Sequence, residues 1–233
     1  MSFFTSLITL ILATLIQGLM QLSSGVFATF YHYALGKKSR KKADDFSLYF
    51  ILGTEIFIAA TFLILCIFIF TFYNQIDSHT NLFSWILAGI FAFEALFSFF
   101  FYYRKGKTTE LSFIPRFIEK NLTNHISNIK TRSDAFVLGF ISNIPELIFT
   151  LPIYIFLIIN LIDFDILPRT MIIILYVVAT IFPPILTFSL YHSGHNFADI
   201  ARLRLRYKPL VRFSLPIIYI LLTIILILGT HHG

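Results

Sequence analysis

Six long apolar segments constrain the fold of this chain more than any other feature of its sequence. A helix rises about 1.5 Å per residue, so about 20 apolar residues are needed to cross the ~30 Å hydrocarbon core of a bilayer. Only 13% of the residues are charged, which is far below the average for a soluble domain. We therefore expect an all-α, polytopic membrane protein with one transmembrane domain over residues 1–233. The six expected transmembrane helices are Phe3–Leu35, Phe46–Tyr73, Leu82–Tyr103, Ala135–Leu161, Thr170–Tyr191 and Phe213–Gly229.

The lysine and arginine residues predict the orientation of the chain. Of these 18 residues, all but Arg169 fall in the loops that follow the first, third and fifth apolar segments. Loops rich in positive charge stay on the cytoplasmic side of a membrane. The pattern predicts a multi-pass protein of the cytoplasmic (inner) membrane with both termini outside. It also explains the net charge of +6, so we expect no nucleic-acid partner.

The two halves of the chain match each other at a constant offset. Each half holds three of the expected helices, so the halves enter the membrane in opposite directions, as in the inverted repeats of many transporters. Repeat 1 covers about 1–103 and repeat 2 about 134–233, joined by a cytoplasmic loop at 104–133. The matched residues are Gly18 with Gly139, Thr29 with Thr150, and Tyr33 with Tyr154.

Three glutamates lie inside the apolar segments. Counted from the segment ends, Glu55 and Glu94 lie about 14 Å deep and Glu146 about 16 Å deep, near the bilayer midplane. A charged group at that depth costs about 2.5–3.5 kcal/mol, and no lysine or arginine occurs in the six segments to pair with one. This pattern favours a site for protons, metal ions or other cations. Neutral glutamic acids that form hydrogen bonds between helices are the structural alternative.

Polar and helix-breaking residues interrupt the first segment of each half at the same depth. Ser23, Ser24 and Gly25 interrupt the first, and Asn143 and Pro145 interrupt the fourth. Proline removes a backbone donor and frees the carbonyl one turn earlier. Broken helices occur at membrane depth where protein or water satisfies the freed groups. We therefore predict breaks at Gly25 and Pro145, with Ser23, Ser24 and Asn143 completing a binding site around the three glutamates.

This arrangement resembles the superfamily of LysE-type exporters and DsbD/CcdA-type electron carriers. Ser23-Ser24-Gly25 stands where the LysE-type proteins carry Pro-Gly-Pro, and Ile144-Pro145-Glu146 stands at the second repeat. The resemblance implies two inverted three-helix repeats and export of a small solute. The electron carriers hold a cysteine in both broken helices, whereas this chain has only Cys66. A thiol relay through an intramolecular disulfide is therefore excluded.

Together these observations predict a secondary transporter or exporter that is coupled to protons or moves a cation. Its partners would be the lipid bilayer and a small solute, proton or cation, with a homo-oligomer as a possible assembly. The alternative function is a non-transporting membrane subunit or biogenesis factor that docks partners through its basic cytoplasmic loops. We expect no enzymatic activity and no cofactor, because no phosphate-binding loop, zinc-ligand spacing or nucleophile elbow occurs in the sequence.

Overall fold

The computed structural model shows an all-helical chain, and the described residues contain no strand. The described residues are 3–24, 26–37, 39–72, 79–103, 125–126, 128–162, 164–193 and 197–231. The helices are α1 (Phe3–Ser24), α2 (Val26–Lys37), α3 (Arg40–Thr71), α4 (Thr80–Tyr103), α5 (Arg132–Ser142), α6 (Leu147–Leu161), α7 (Ile166–Thr180), α8 (Phe182–His192) and α9 (Phe197–His231). A short 3₁₀ turn, Ile144–Glu146, joins α5 to α6.

Four stretches of helix are long and apolar enough to cross a membrane. A fifth is added if α5 and α6, which meet at an angle of 72°, form one broken span. The sixth expected helix is part of the long α9, whose apolar section Phe213–Leu228 is shorter than the others. The four stretches are Leu7–Gly36, Arg40–Thr71, Leu82–Phe100 and Ile166–His192. The chain is therefore a helical, multi-pass membrane protein.

Large apolar side chains cover the outer surface of these helices. On α3 and α4, for example, Ile64 is 65% exposed and Phe100 is 66% exposed. A soluble protein rarely leaves so many large apolar side chains in water, whereas a bilayer accommodates them. The interior is apolar as well, with one large core built from α1, α3, α4, α6, α7 and α9. A second core packs α2, α3 and α5 around Phe30 and Phe50.

The contact between α3 and α5 is unusually close, because two glycines face each other's helix. A Cβ atom added to Gly53 would lie 2.1 Å from the carbonyl oxygen of Phe136, and one added to Gly139 would lie 2.1 Å from that of Phe50. Small residues allow membrane helices to approach until their backbones touch. The crossing fixes the first half of the broken α5–α6 span against the long, unbroken α3.

The N-terminus of α3, the N-terminus of α5 and the C-terminus of α8 meet at one end of the bundle, which we call the basic end. Arg40 donates a hydrogen bond to the carbonyl of His192 at 3.0 Å. Arg132 forms an ion pair of 2.6 Å with Asp45. These contacts confirm that segments joined to three different basic loops lie together. Most of the loop at 104–133 lies outside the described residues.

Candidate functional site

Two helix breaks lie close together in the interior. α5 and α6 are separated by the 3₁₀ turn, and α7 and α8 are separated at Ile181. The sequence predicted the first of these, around Pro145, whereas the break predicted at Gly25 falls on a residue outside the described ones, within the apolar stretch Leu7–Gly36. Pro145 lies in the first turn of the 3₁₀ segment, and Pro183 and Pro184 lie in the first turn of α8, where their missing N–H groups are tolerated.

A small cavity lies where these breaks meet. The space open to the centre of a water molecule is about 30 Å³, and one water needs about 10–15 Å³ of such space. The cavity thus has room for two or three waters or one small cation. Its walls combine polar side chains with aromatic and proline rings: Gln21, Val26, Phe27, Phe50, Thr54, Ser142, Asn143, Glu146, Pro183, Pro184 and Thr187.

Asn143 and Glu146 provide the groups of this cavity that are suited to bind a proton or a cation. Both are buried, with 5% and 7% of their surfaces exposed, and both lie on the 3₁₀ turn or next to it. The Nδ2 atom of Asn143 donates to the carbonyl of Gly139 at 2.8 Å. The side-chain oxygen is thereby left as the acceptor that Asn143 offers to a ligand. A carboxylate, an amide oxygen and nearby hydroxyls form an oxygen-rich set of the kind that protons and hard cations prefer.

The carbonyl of Gly139 holds this wall of the cavity in place. It accepts hydrogen bonds from Thr54 at 3.3 Å, from Ser142 at 2.8 Å and from Asn143 at 2.8 Å. These bonds join α3 to the end of α5, where the glycine contact already brings the two backbones together. Thr54 was missed by the sequence analysis, because a threonine in an apolar helix is common and gives no signal of its own.

Glu55 lies near this cavity but does not line it. A hydrogen bond of 2.9 Å joins its Oε2 atom to the hydroxyl of Thr180, the last residue of α7. Two buried tyrosines lie behind it: Tyr176 interacts electrostatically with Glu55, and Tyr154 with both Glu55 and Glu146. The two rings are nearly perpendicular, with centroids 5.8 Å apart. Tyr154 therefore interacts with both glutamates, of which only Glu146 lines the cavity.

Glu94 lies apart from both groups. It is 4% exposed and faces the packed interface of α4 with α6 and α9, one turn from Phe91. The ring of Phe91 contacts those of Phe156 and Tyr219. Among the described residues, neither Oε2 of Glu94 nor the hydroxyl of Ser98 has a hydrogen-bond partner. The expectation that all three glutamates share one cavity is thus not met, because only Glu146 lines it.

The remaining expected site residues are described only in part. Gly25 lies outside the described residues, and so do the side chains of Ser23, Ser24 and Pro145. The polar group that α1 contributes to the cavity is Gln21. The described residues contain no group of three His, Cys, Asp or Glu side chains that could hold a metal ion. A cation in this cavity would therefore be bound by one carboxylate and neutral oxygens.

An aromatic layer separates the cavity from the basic end. Tyr31 and Tyr191 follow the cavity residues Phe27 and Thr187 by one helical turn, and their ring centroids are 4.5 Å apart. Tyr31 is fully buried and donates a hydrogen bond to Asp44. The hydroxyl of Tyr191 donates to the carbonyl of Ala28 at 3.1 Å. These bonds fasten α2, α3 and α8 together over the cavity.

His192 adds a contact with Asp44 to this layer. Its Nδ1 atom lies 3.9 Å from Oδ2 of Asp44, and its carbonyl accepts the hydrogen bond from Arg40. The imidazole ring also stacks on Phe188 with centroids 5.9 Å apart. His192, Asp44 and Arg40 lie on the side of the layer that faces the basic end. Opening this end of the bundle would require these contacts to break.

Comparison with protein-family models, with curated proteins and with solved structures finds no match to this chain. The resemblance to LysE-type exporters accordingly stays a prediction from the sequence. What the fold establishes is the class: a helical, multi-pass membrane protein in which a small, partly open cavity with polar and apolar walls lies beside the α5–α6 and α7–α8 breaks.

Proposed function

We propose that this protein is a secondary transporter or exporter, coupled to protons or moving a cation, whose substrate site is the cavity at Asn143 and Glu146. The observation that carries the proposal is the position of that cavity. A buried carboxylate, an amide and several hydroxyls line a water-sized space beside two broken helices of a membrane protein. Buried ionisable groups among membrane helices mark ion and solute pathways, and transporters place their sites between discontinuous helices.

We propose further that the chain crosses the membrane six times as two inverted three-helix repeats. The offset that aligns Gly18 with Gly139 also aligns Gly25, where the sequence predicts a break, with Glu146 at the α5–α6 break. The two glycines also have corresponding neighbours. Gly139 contacts Phe50 on the second expected span, and a Cβ on Gly18 would lie 3.4 Å from the Pro183 ring on the fifth. An inverted repeat relates the second span to the fifth, so these contacts support it.

In this proposal the basic end is cytoplasmic and both termini are outside, in the cytoplasmic membrane. The helix ends that adjoin the basic loops meet there, and the positive-inside rule predicts that such loops are cytoplasmic. The aromatic layer at Tyr31 and Tyr191 then closes the cavity towards the cytoplasm. The cavity has room for only a few water-sized atoms, so any solute larger than a small cation requires this layer to separate.

The test is a flux screen in proteoliposomes with Glu146→Gln. This substitution keeps the shape of the side chain and removes its titratable proton. We expect the wild-type chain to move a cation or a small solute across the membrane, and we expect Glu146→Gln to abolish that flux while the protein still folds. Glu119→Gln, the same substitution in the hydrophilic segment 104–133, is the matched control and should behave as wild type.

Normal flux in Glu146→Gln would exclude the cavity as the substrate site. If the wild-type chain moves no solute or ion in the screen, the proposed function fails. The remaining candidate is then the membrane subunit that binds partners through its basic loops. Crosslinking of the intact chain in membranes would identify such a partner.

A further inference from the structure

We infer that Glu55 carries a proton in this structure and is the site of the coupling proton, separate from the cavity in which Glu146 and Asn143 bind the transported species. The inference that Glu55 is protonated depends only on the contacts that Glu55 makes. Its role in coupling rests on the function proposed above.

The hydroxyl of Thr180 provides the first argument. Its Oγ1 atom lies 2.7 Å from the carbonyl oxygen of Val177 and 2.9 Å from Oε2 of Glu55. A hydroxyl has one hydrogen to donate, and a carbonyl oxygen can only accept. If the hydrogen goes to Val177, the contact with Glu55 is a hydrogen bond only when the carboxyl supplies the hydrogen. Glu55 is then the neutral acid, donating to Thr180.

The helix break explains why Val177 takes the hydrogen of Thr180. In a continuous helix the amide of Ile181 would donate to Val177, one turn earlier. Here the helix ends at Thr180, and the Ile181 amide donates to Val178 at 3.3 Å instead. The Val177 carbonyl has therefore lost its backbone donor. A buried carbonyl without a donor costs about 1–3 kcal/mol, which the Thr180 hydroxyl avoids.

The surroundings of Glu55 provide the second argument. Leu52 and Ile56 flank it on the outer surface of α3 and are 50% and 44% exposed, so the residue lies at the margin of the lipid-facing surface. Its Oε1 atom is buried and has no hydrogen-bond partner among the described residues. An ionised carboxylate in such a place would be poorly solvated on both oxygens, whereas the neutral acid needs only one acceptor.

No described cation compensates a charge on Glu55. The titratable groups that interact electrostatically with it are Tyr176 on α7 and Tyr154 on α6, and Tyr154 also interacts with Glu146. The other helices that pack on α3 are α2, α5 and α8, and their charged groups lie at the basic end. Of these, Arg132 is paired with Asp45 on α3, and His192 is close to Asp44 on α3.

Thr180 connects the protonation of Glu55 to the structure of the cavity wall. It is the residue before the α7–α8 break, and α8 begins with the prolines that line the cavity wall. When the O–H bond of Glu55 breaks and its proton passes to water, the carboxylate becomes an acceptor that competes for the hydrogen of Thr180. The Val177 carbonyl then loses its donor, and the break must rearrange. Protonation of Glu55 thereby sets the position of Pro183 and Pro184 relative to Glu146.

Infrared spectroscopy of the full chain in lipid nanodiscs tests the protonated state, because it detects the C=O stretch of a neutral carboxyl. At neutral pH, Glu55→Gln should remove one component of this band, and Thr180→Val should move that component to higher frequency. Glu94→Gln and Glu146→Gln should leave it in place. A carboxyl band that Glu55→Gln does not alter would overturn the inference. A carboxyl band that Thr180→Val fails to shift would also overturn the inference. If Glu55→Gln does not fold, Thr180→Val alone decides whether Glu55 is protonated.

The coupling role is tested by the pH profile of transport in proteoliposomes. In the wild-type chain, a pH gradient should drive accumulation of the transported species. Glu55→Gln should lose this accumulation, and its remaining exchange should no longer depend on pH, whereas Glu146→Gln should lose exchange altogether. Accumulation driven by pH in Glu55→Gln would overturn the coupling role alone. A wild-type chain without transport would refute the proposed function, and the infrared result would still decide the protonation of Glu55.

Discussion

Gly139→Ala tests the crossing on which the cavity wall depends. The added Cβ would lie 2.1 Å from the carbonyl oxygen of Phe50, 2.9 Å from its carbon and 3.0 Å from its Cα atom. Carbon and oxygen atoms that are not bonded do not approach closer than about 3 Å, so the two backbones must separate by about 1 Å. No side-chain rotation relieves the clash, because every atom involved belongs to the backbone.

The size of the effect follows from opposing terms. Overpacking of this kind costs about 1–3 kcal/mol, and backbone atoms place this case at the upper end. Separation of the helices also lengthens the bond from Thr54 to Gly139, already 3.3 Å, whose loss costs about 0.6 kcal/mol in a membrane protein. Alanine is the better helix former by about 1 kcal/mol, which offsets part of this. We expect a net destabilisation of about 2–3 kcal/mol, more than a tenfold change in the unfolding equilibrium.

The assay is reversible unfolding in mixed micelles, followed by circular dichroism. Gly89→Ala is the matched control, because a Cβ at Gly89 on α4 meets no atom within 4 Å. That variant should be as stable as the wild type or more stable. Gly53→Ala should resemble Gly139→Ala, and the double variant should cost less than the sum, since one separation relieves both clashes. Equal stability of Gly139→Ala and Gly89→Ala would refute the close crossing of α3 and α5.

Two further predictions concern the aromatic layer and the tyrosine group. Asp44→Asn weakens the hydrogen bond from Tyr31 and should loosen the aromatic layer. In a cysteine-free chain, a membrane-impermeant thiol reagent added at the basic end should therefore label Thr187→Cys, which lines the cavity, at a higher rate. An unchanged labelling rate would contradict the interpretation that the aromatic layer closes the cavity. Tyr154→Phe removes the hydroxyl that donates to Gln17 at 3.0 Å and leaves that buried amide oxygen without its donor. It should lower the free energy of unfolding by about 1 kcal/mol, and an unchanged stability would show that the bond contributes nothing.

Part of the candidate site could be predicted from the sequence because it depends on local chemistry. Pro145 cannot donate a backbone hydrogen bond and stands among polar residues of an apolar segment, so a break there could be predicted, whereas Pro152 lies within the unbroken α6. Asn143 and Glu146 stand at the same break, and the structure places both in the cavity. The tyrosines that interact with Glu55 and Glu146 could not be predicted, since aromatic residues are abundant throughout this chain and many of them pack in the core.

Sequence alone determined that the chain crosses a membrane, that its fourth apolar segment breaks near Pro145, and that the residues next to its basic loops lie at one end. Each of these follows from segment length, backbone chemistry or charge, which are properties of neighbouring residues. Tertiary structure decided which glutamate lines the cavity. Helix rise gives the depth of Glu55, Glu94 and Glu146, but the side a residue faces depends on how its helix is rotated against its neighbours. The glycine contact sets that rotation for α3 and α5, and it turns Thr54 to the cavity and Glu55 to Thr180.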